Sequence, residues 1–375
     1  MAFRSSSRLR SLSSQSTHEK DKPVTLRTLA SRLGLSLTAV SIVVNDSPAA
    51  KAIPSATRDR ILAVAQELHY RPNYLARSLR NKRSMSIGVL VPEISEGYFT
   101  QVMNGVEEHL LAAEHFCLLA AHYWQPLLLE EHPRMLLERS VDGLLLVNTP
   151  TPTRVDVPIV SVSGHQAEPG VTNIQLNHKR AALLALKHLA GLGHRRITFM
   201  KGQAETVDTE FRWRRIMEVA RALGIEVHQE LLIRPVENSW SPALGYDPMK
   251  ALLSRTRNFT ALFAFNDIAA IGAIRALHEA GIRVPKDVSV VGFDDVGSAP
   301  FRIPSLTTIH QPLREMGKLA AESLVNRINN PTAHYPSRVI MQPELVIRES
   351  TARAASRRRR PPANQPKNLK TRVRT

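Results

Sequence analysis

The first regular pattern along the chain is helical. Between residues 26 and 33, apolar side chains recur at spacings of three and four residues, which puts them on one face of a helix. Thr25 precedes this run as an N-cap and Gly34 follows it as a C-terminal stop. The pattern predicts a short amphipathic helix with four apolar positions, namely Leu26, Leu29, Ala30 and Leu33.

A second short helix is predicted at residues 36–45, which read SLTAVSIVVN, with Ser36 as its N-cap. Val40, Val43 and Val44 can pack inward. The outward positions are Leu37, Thr38, Ser41 and Ile42. A helix this short is not stable by itself in water, so its inward face must pack against neighbouring helices.

A third helix is predicted from about Thr57 to Leu68, and its apolar face consists of Ile61, Leu62, Ala65 and Leu68. Two short helices joined by Gly-Leu-Ser, the second with small polar residues at its start, are typical of a helix-turn-helix. In that motif the second helix enters the DNA major groove and its first turns contact base edges. By itself the pattern is weak, because other short helix pairs around a glycine look similar.

After residue 84 the pattern changes to short apolar runs that alternate with helix-length segments. The predicted strands are SIGVLVP, FCLLAAH, VDGLLLVN, VPIVSVS, RRITFMKG, TALFAFND and VSVVGFDD. Such runs indicate parallel sheets that are buried on both faces, and about 265 residues are enough for two α/β subdomains. Ligands bind at the carboxyl ends of such strands. The polar residues there are Glu93, Ser95, Asn148, Ser163, Asn266, Asp267, Asp294 and Asp295.

The net charge of +17 lies at the two ends of the chain. Residues 1–84 hold 15 Lys/Arg against 5 Asp/Glu, residues 351–375 hold 9 against none, and the middle is close to neutral. Basic ends favour a polyanionic partner, whereas the alternative is that they are only solvated tails. The tail at 351–375 either contacts the phosphates of a nucleic acid or is a disordered segment without a binding role.

Other features of composition restrict the class of protein. Cys117 is the only cysteine, which excludes an intramolecular disulfide and suits a reducing compartment. No apolar run approaches the roughly 18 residues of a membrane span, and residues 1–22 lack the apolar centre of a secretory signal. We therefore expect a cytoplasmic protein without a membrane partner.

The chain resembles the LacI/GalR (lactose-repressor) family in both its helical segment and its α/β part. The residues that carry this resemblance are VTLRTLASRLGLSLTAVSIVVND and TRDRILAVAQELHYRPNYLARSLR, followed by HLAGLGHRRITFMKG, FAFNDIAAIGAIRALHEAGIRVPKDVSVVGFDD and SLTTIHQPLREMG. The resemblance covers about residues 23–350. It implies a small all-α helix-turn-helix head and an α/β body of two periplasmic-binding-protein-like subdomains with parallel sheets.

The resemblance also implies the domain boundaries and the DNA-binding residues. The expected segments are a disordered basic extension at 1–22, the head at 23–72, a hinge helix and linker at 73–84, the effector-binding and dimerisation domain at 85–350, and a basic disordered tail at 351–375. The expected DNA contacts in the head are Thr25, Ser36, Leu37, Thr38, Ala39, Ser41, Ile42 and Asn45. Those in the hinge are Asn73, Ala76, Arg77 and Leu79, of which Leu79 is expected to open a base step in the minor groove.

Ile42 stands where the family usually has an arginine. An arginine there can donate to a guanine, whereas an isoleucine can only contact a thymine methyl group. We therefore expect the base pair read at this position to be biased toward A·T. The alternative is that Ile42 turns partly into the core of the head and reads no base.

The resemblance implies a small ligand, a sugar or sugar derivative, between the two subdomains. The expected effector-binding residues are Ser95, Tyr98, Phe99, Asn177, Arg212, Trp240, Asn266, Asp294 and Gln311. Asn177 and His178 stand where the family commonly has Asp-Asn, so the ligand or its mode of binding is expected to differ. Arg214 and Arg215, beside Arg212, leave open a phosphorylated or acidic ligand.

Motifs for catalysis are missing from the sequence. Gly191–His194 reads GLGH and lacks the third glycine of a dinucleotide-binding loop, and no G-x-S-x-G motif occurs. The histidines between residues 109 and 132 lack the spacing of a helical metal site. We predict that the protein is not an enzyme and binds no cofactor or metal. The resemblance implies instead a homodimeric repressor, associated with the nucleoid in the bacterial cytoplasm, that binds a double-stranded, pseudo-palindromic operator. The alternative is a solute-binding protein of the same body fold without specific DNA recognition.

Overall fold

The computed structural model describes residues 24–70, 78, 83–153, 155–164, 168–204, 206–235 and 241–354. The chain divides into two compact units between residues 82 and 83, and each is described by itself. The first unit contains the predicted helix-turn-helix segment, and the second contains the α/β body.

The described part of the first unit contains three α-helices, α1 (Leu26–Leu33), α2 (Leu37–Val44) and α3 (Ser55–Glu67), with a 3₁₀ helix at Pro48–Ala52 between α2 and α3. The Thr25 hydroxyl accepts from the backbone N–H of Thr28 at the start of α1, and Gly34 ends the helix in the left-handed conformation at φ 64°. Ser36 caps α2 by accepting from the N–H of Ala39. The axes of α1 and α2 meet at a bend of 115°, which is typical of a helix-turn-helix.

The small core of the first unit forms from the positions that the helical pattern predicts. The structure differs from the prediction at one core position and at the start of α3. Its buried residues include Leu29, Val40 and Ile61. Leu62 was predicted on the apolar face of α3, but its side chain is 50% exposed, so that prediction is wrong. The helix also begins at Ser55 rather than near Thr57, because Pro54 stands at its N-cap and allows the turn to start there.

The second unit contains two six-stranded sheets. The first has the order β11-β5-β4-β3-β1-β2 and the second the order β12-β10-β9-β8-β6-β7. All strand pairs are parallel except β10 with β12. The strand bounds are Ser86–Val91 (β1), Phe116–Ala121 (β2), Gly143–Val147 (β3), Ile159–Val162 (β4), Thr172–Leu176 (β5), Ile197–Met200 (β6), Leu232–Ile233 (β7), Ala261–Phe263 (β8), Ser289–Asp294 (β9), Thr307–His310 (β10), Arg338–Met341 (β11) and Glu344–Val346 (β12).

Helices cover both sheets, and the chain crosses between the two subdomains three times. The first crossing follows β5, the second follows β10 and the third joins β11 to β12. The helix bounds are Tyr98–Ala112 (α4), Pro126–Glu138 (α5), His178–Gly191 (α6), Val207–Ala222 (α7), Ala243–Arg255 (α8), Asp267–Glu279 (α9) and Leu313–Asn329 (α10). Because α10 returns to the first sheet, both subdomains contain non-contiguous segments.

Each subdomain contains one close helix crossing that depends on glycine. In the first, α4 packs on α10, and a Cβ atom at Gly105 would lie 1.9 Å from the backbone oxygen of Arg314. In the second, α8 packs on α9, and a Cβ atom at Gly272 would lie 1.8 Å from the backbone oxygen of Pro242. Real Cβ atoms do not approach a backbone oxygen this closely, so any larger residue would push the helices apart.

All seven predicted strands are present, but burial on both faces does not hold for β2. This strand lies at the edge of the first sheet, and Phe116 is 67% exposed. Strands β5, β7, β10, β11 and β12 were not predicted, because they are short or polar. Within the described residues, no single helix is long and apolar enough to cross a membrane.

Candidate functional site

The start of α2 presents side chains to solvent. Leu37 is 48% exposed although it is apolar, and Thr38 beside it is exposed as well. Ala39 is half-buried. An exposed leucine next to a threonine at the N-terminal end of a capped helix is suited to base-edge contacts in a major groove.

The other predicted DNA contacts of this unit have structural partners. Thr25 and Ser36 cap their helices through their hydroxyl groups. The Asn45 amide donates to the backbone oxygen of Ser41 at 2.8 Å and to its hydroxyl at 3.3 Å, so these two side chains are tied to the end of α2. Ile42 is half-buried and packs against the core, which favours the alternative reading of this residue. The predicted hinge residues Asn73, Ala76, Arg77 and Leu79 lie outside the described residues.

A small cavity lies where the carboxyl ends of the two sheets face each other. The first subdomain lines it with Tyr98, Asn148 and Ser163. The second subdomain lines it with Asp208, Arg212, Phe265, Asn266 and Asp294.

Arg212, in α7, is held rigidly in the wall of this cavity. One guanidinium nitrogen donates to the backbone oxygen of Phe265 at 2.7 Å, and another donates to the Asp208 carboxylate one helical turn earlier. The guanidinium carbon lies 3.9 Å from the centre of the Phe293 ring and 4.6 Å from that of Phe265. Aromatic faces attract a cation, so these rings and the carboxylate together fix its orientation.

On the opposite side, strand ends position polar groups of the first subdomain. Asn148 follows β3 and Ser163 follows β4, and both adopt positive φ angles of 46° and 58°. The Tyr98 hydroxyl, at the start of α4, donates to Ser163 Oγ at 2.8 Å. Burial raises the pKa of the Tyr98 hydroxyl far above its usual value, so it remains a neutral donor.

Asp294 is the last residue of β9 and lines the cavity. Its backbone φ angle is 114°, a value that residues other than glycine rarely adopt. Gln311, just after β10, donates to its Oδ1 atom at 2.6 Å. Burial raises the pKa of Asp294 well above its usual value. The Asn266 oxygen accepts from the N–H of Ala269 at 2.8 Å and so caps α9, which leaves its amide group to line the cavity.

Several predicted effector residues do not line the cavity. Phe99 is a core side chain of the first subdomain and is 1% exposed, because it faces the sheet from α4. Asn177 caps α6 by accepting from the N–H of Arg180. Ser95 lies in the loop between β1 and α4 and does not line the cavity. Gln311 does not line the cavity either, but it donates a hydrogen bond to Asp294, which does. Trp240 lies outside the described residues.

Arg214 and Arg215 do not supply positive charge to the cavity. Arg215 contacts Glu218 at 3.0 Å on the exposed side of α7, and Arg214 donates to the backbone oxygen of Glu210. Neither lines the cavity. The structure therefore offers no support for the phosphorylated or acidic ligand that these arginines suggested.

Asp208 and His178 are the important residues that sequence reasoning missed. His178 Nε2 lies 3.0 Å from Asp208 Oδ1, and both side chains are buried. A signal for Asp208 was present, because it precedes Arg212 by four residues and an acid–arginine pair at this spacing meets on a helix. Among the described residues, no cluster of three His, Cys, Asp or Glu side chains could hold a metal ion.

An apolar groove lies on the surface of the second subdomain. It is lined mainly by residues of α9 and of the segment 301–304. Phe301 is 84% exposed and Ile303 is 96% exposed. Large apolar side chains this exposed in one patch are typical of protein–protein contact sites.

Known proteins resemble this chain over most of its length. A family model described as periplasmic binding protein-like domain matches residues 186–351. The HTH-type transcriptional repressor PurR of Photobacterium profundum is 32% identical over 335 residues, which cover 87% of this chain and 98% of that relative. The ribose operon repressor of Haemophilus influenzae is 29% identical over 87% of this chain and 98% of its own length.

Solved structures lead to the same family. The Lac repressor bound to ONPG is similar with a TM-score of 0.76 and 26% identity, over 88% of this chain and all of that chain. The predicted fold class is therefore confirmed, and the relatives are transcriptional regulators rather than enzymes, as predicted. Because the PurR relative is more than 30% identical to this chain and is matched over nearly its whole length, the chain belongs to the LacI/GalR family of transcriptional regulators.

Proposed function

We propose that this protein is a repressor that binds a pseudo-palindromic operator as a homodimer and is controlled by a small neutral ligand. The observation that carries the proposal is the helix pair α1–α2, with its 115° bend, two side-chain caps and exposed Leu37 and Thr38. We assign Leu37 and Thr38 to base edges. Thr25, Ser36, Ser41 and Asn45 are assigned to the phosphate backbone, because they are polar and tied to helix ends.

Selection from a random DNA pool by the full-length protein tests this assignment. We expect wild type to enrich a two-fold symmetric sequence and Leu37→Ala to lose most of the enrichment. Leu62→Ala is the matched control, because Leu62 is a leucine of the same unit with nearly the same exposure, 50% against 48%. Equal enrichment by both variants would contradict the role of Leu37.

The same selection with Ile42→Arg tests the role of Ile42. Because Ile42 is half-buried against the core, we expect its contribution to base recognition to be small. An arginine, however, can extend past the core and donate to a guanine. A shift of one symmetric base pair toward G·C would show that a long side chain at this position reaches the bases, whereas an unchanged sequence would show that this position reads no base.

The ligand proposal rests on the polar wall of the cavity. Arg212, Asn266 and Asp294 provide planar hydrogen-bonding groups, and the Tyr98 hydroxyl is a neutral donor. Hydroxyl groups of a sugar can satisfy such a set. The relatives include a ribose operon repressor and a CelR structure with cellobiose, which supports a sugar, whereas the PurR relatives favour including nucleobases in any screen.

The homodimer proposal rests on exposed apolar surface. The groove at Phe301 and Ile303 and the exposed edge strand β2 each leave apolar side chains in solvent. A second copy of the chain would cover both patches. A protein that binds operator DNA would act at the nucleoid, in the cytoplasm. A solute-binding protein without DNA recognition is the alternative, and the DNA selection separates the two.

A further inference from the structure

The charge of the cavity follows from one carboxylate. Arg212 is the only cationic side chain among the described lining residues, and Asp208, four residues earlier in α7, contacts its guanidinium directly. The side chains of both residues are almost fully buried, at 7% and 6% exposure. The positive charge is therefore neutralised inside the protein before any ligand enters.

The other described lining residues add no positive charge, and His178, whose Nε2 atom lies 3.0 Å from Asp208 Oδ1, does not line the cavity. Asp294 is a second carboxyl group in the wall, and burial raises its pKa well above its usual value. Lys201, the nearby buried lysine, is paired with Glu210 and does not line the cavity. An anionic ligand would thus enter a buried site that holds two carboxyl groups and no unpaired cation among its described lining residues.

Two unsatisfied groups indicate what the ligand must offer. Within the described residues, Arg212 Nε and Asn148 Oδ1 are buried and have no hydrogen-bond partner, and both residues line the cavity. The first is a donor and the second is an acceptor. A hydroxyl group can serve both, whereas a phosphate or carboxylate oxygen can serve only the donor.

We propose that Asp208 is a specificity-determining residue: as the internal counter-ion of Arg212, it makes the cavity select neutral, hydroxyl-bearing ligands and reject phosphorylated or carboxylated ones. The inference rests on the proposed ligand-binding role of the cavity. It names both the class of ligand and the residue that excludes the charged class.

The test uses the full-length protein with matched neutral and charged compounds. Calorimetry would compare D-ribose with D-ribose 5-phosphate and D-glucose with D-glucose 6-phosphate, and sulfate would serve as a simple anion. For wild type we expect at least tenfold weaker binding of the phosphorylated member of any pair that binds, and no saturable sulfate binding. Asp208→Asn should reduce the ratio of the affinity for the neutral compound to the affinity for its phosphorylated partner at least tenfold, and it should create saturable sulfate binding.

Two further variants keep the test decisive. Asp208→Asn combined with Arg212→Gln removes both charges, so sulfate binding should disappear again. Asp287→Asn is the matched control, since Asp287 pairs with Arg283 at the same four-residue spacing but on the surface, and its loss should change nothing in the cavity. If Asp208→Asn does not fold, Asp208→Ser replaces it.

The outcomes separate the two proposals. A wild-type preference for the phosphorylated compounds, or a folded Asp208→Asn variant whose sulfate affinity matches wild type, would overturn the role of Asp208. If no neutral compound binds wild type but sulfate binds only after Asp208→Asn, the counter-ion role stands. The proposed effector would then have to be sought outside the sugars tested.

Discussion

At the scale of single residues, Asp267 shows how burial makes a carboxyl group sensitive to pH. It is the first residue of α9, accepts from Thr308 Oγ1 at 2.6 Å and from the N–H of Val296 at 2.9 Å, and is fully buried. Burial raises its pKa from 3.8 to about 7. The folded state therefore binds this proton more tightly than the unfolded state does.

This difference predicts a pH-dependent effect of Asp267→Asn. Between about pH 4 and pH 7, the folded carboxyl keeps its proton while the unfolded one loses it, so Asp267 costs wild type stability as the pH rises. Asparagine cannot ionise. Relative to wild type, the variant should gain at least about 1 kcal/mol in free energy of unfolding between pH 5 and pH 8. A difference that does not change with pH would contradict the raised pKa.

Sequence reasoning found the cavity residues that stand at strand ends and helix starts. Arg212, Asn266, Asp294 and Tyr98 were predicted through the family resemblance, and all four line the cavity. Phe99 and Asn177 do not line the cavity: Phe99 lies in the core, and Asn177 caps α6 with its side chain. Asp208 was missed although it precedes Arg212 by four residues, because that spacing shows that the two side chains can meet on a helix but not that the pair lies in the cavity.

At the scale of elements, the helix crossing of α4 and α10 depends on Gly105. An alanine Cβ there would lie 1.9 Å from the Arg314 backbone oxygen, so the two helices must separate. Gly105→Ala should lower the free energy of unfolding of the α/β body by about 1–3 kcal/mol, as overpacking usually does. Chemical denaturation followed by circular dichroism measures this change.

Gly191→Ala is the matched control for this prediction. Gly191 is the last residue of α6, and a Cβ atom there would meet nothing within 4 Å. Alanine has the better helix propensity, so the variant should be equally stable or more stable by up to about 1 kcal/mol. If Gly105→Ala were also neutral, the close crossing would not exist in solution.

The pattern of the sequence predicted long elements better than short ones. Apolar runs such as SIGVLVP and VSVVGFDD identified buried strands, because their continuous hydrophobicity is strong. Strand β5 reads TNIQL and β7 has only two residues, so neither has a recognisable pattern. Leu62 fits the helical pattern of α3 and is nevertheless exposed, since the pattern does not tell how wide the packed face is.

At the scale of the whole molecule, the groove around Phe301 and Ile303 predicts the oligomeric state. Phe301→Glu and Ile303→Glu would each replace a large exposed apolar side chain of the groove by a carboxylate. Each should weaken dimerisation at least tenfold in sedimentation velocity experiments. Ile347→Glu, at an apolar residue that is 63% exposed outside the groove, is the control. A dimer unaffected by either groove substitution would contradict this interface.

The division of the chain into a helical unit and an α/β unit could be expected from the change of pattern near residue 84. The order of strands could not, because three crossings place α6, α10 and β11 in subdomains that sequence order does not predict. Family resemblance predicted the architecture, whereas the charge balance of the cavity depends on three-dimensional contacts such as that between Asp208 and Arg212.

The central claim is that a ligand in the cavity controls DNA binding. The most direct test measures the affinity of the full-length protein for its selected DNA with and without the tightest-binding neutral compound of the sugar and nucleobase screen. We predict a change of about 5- to 150-fold in wild type, which is the usual range of allosteric coupling, and no change in Arg212→Gln. A compound that binds the wild-type cavity but leaves its DNA affinity unchanged would contradict the account.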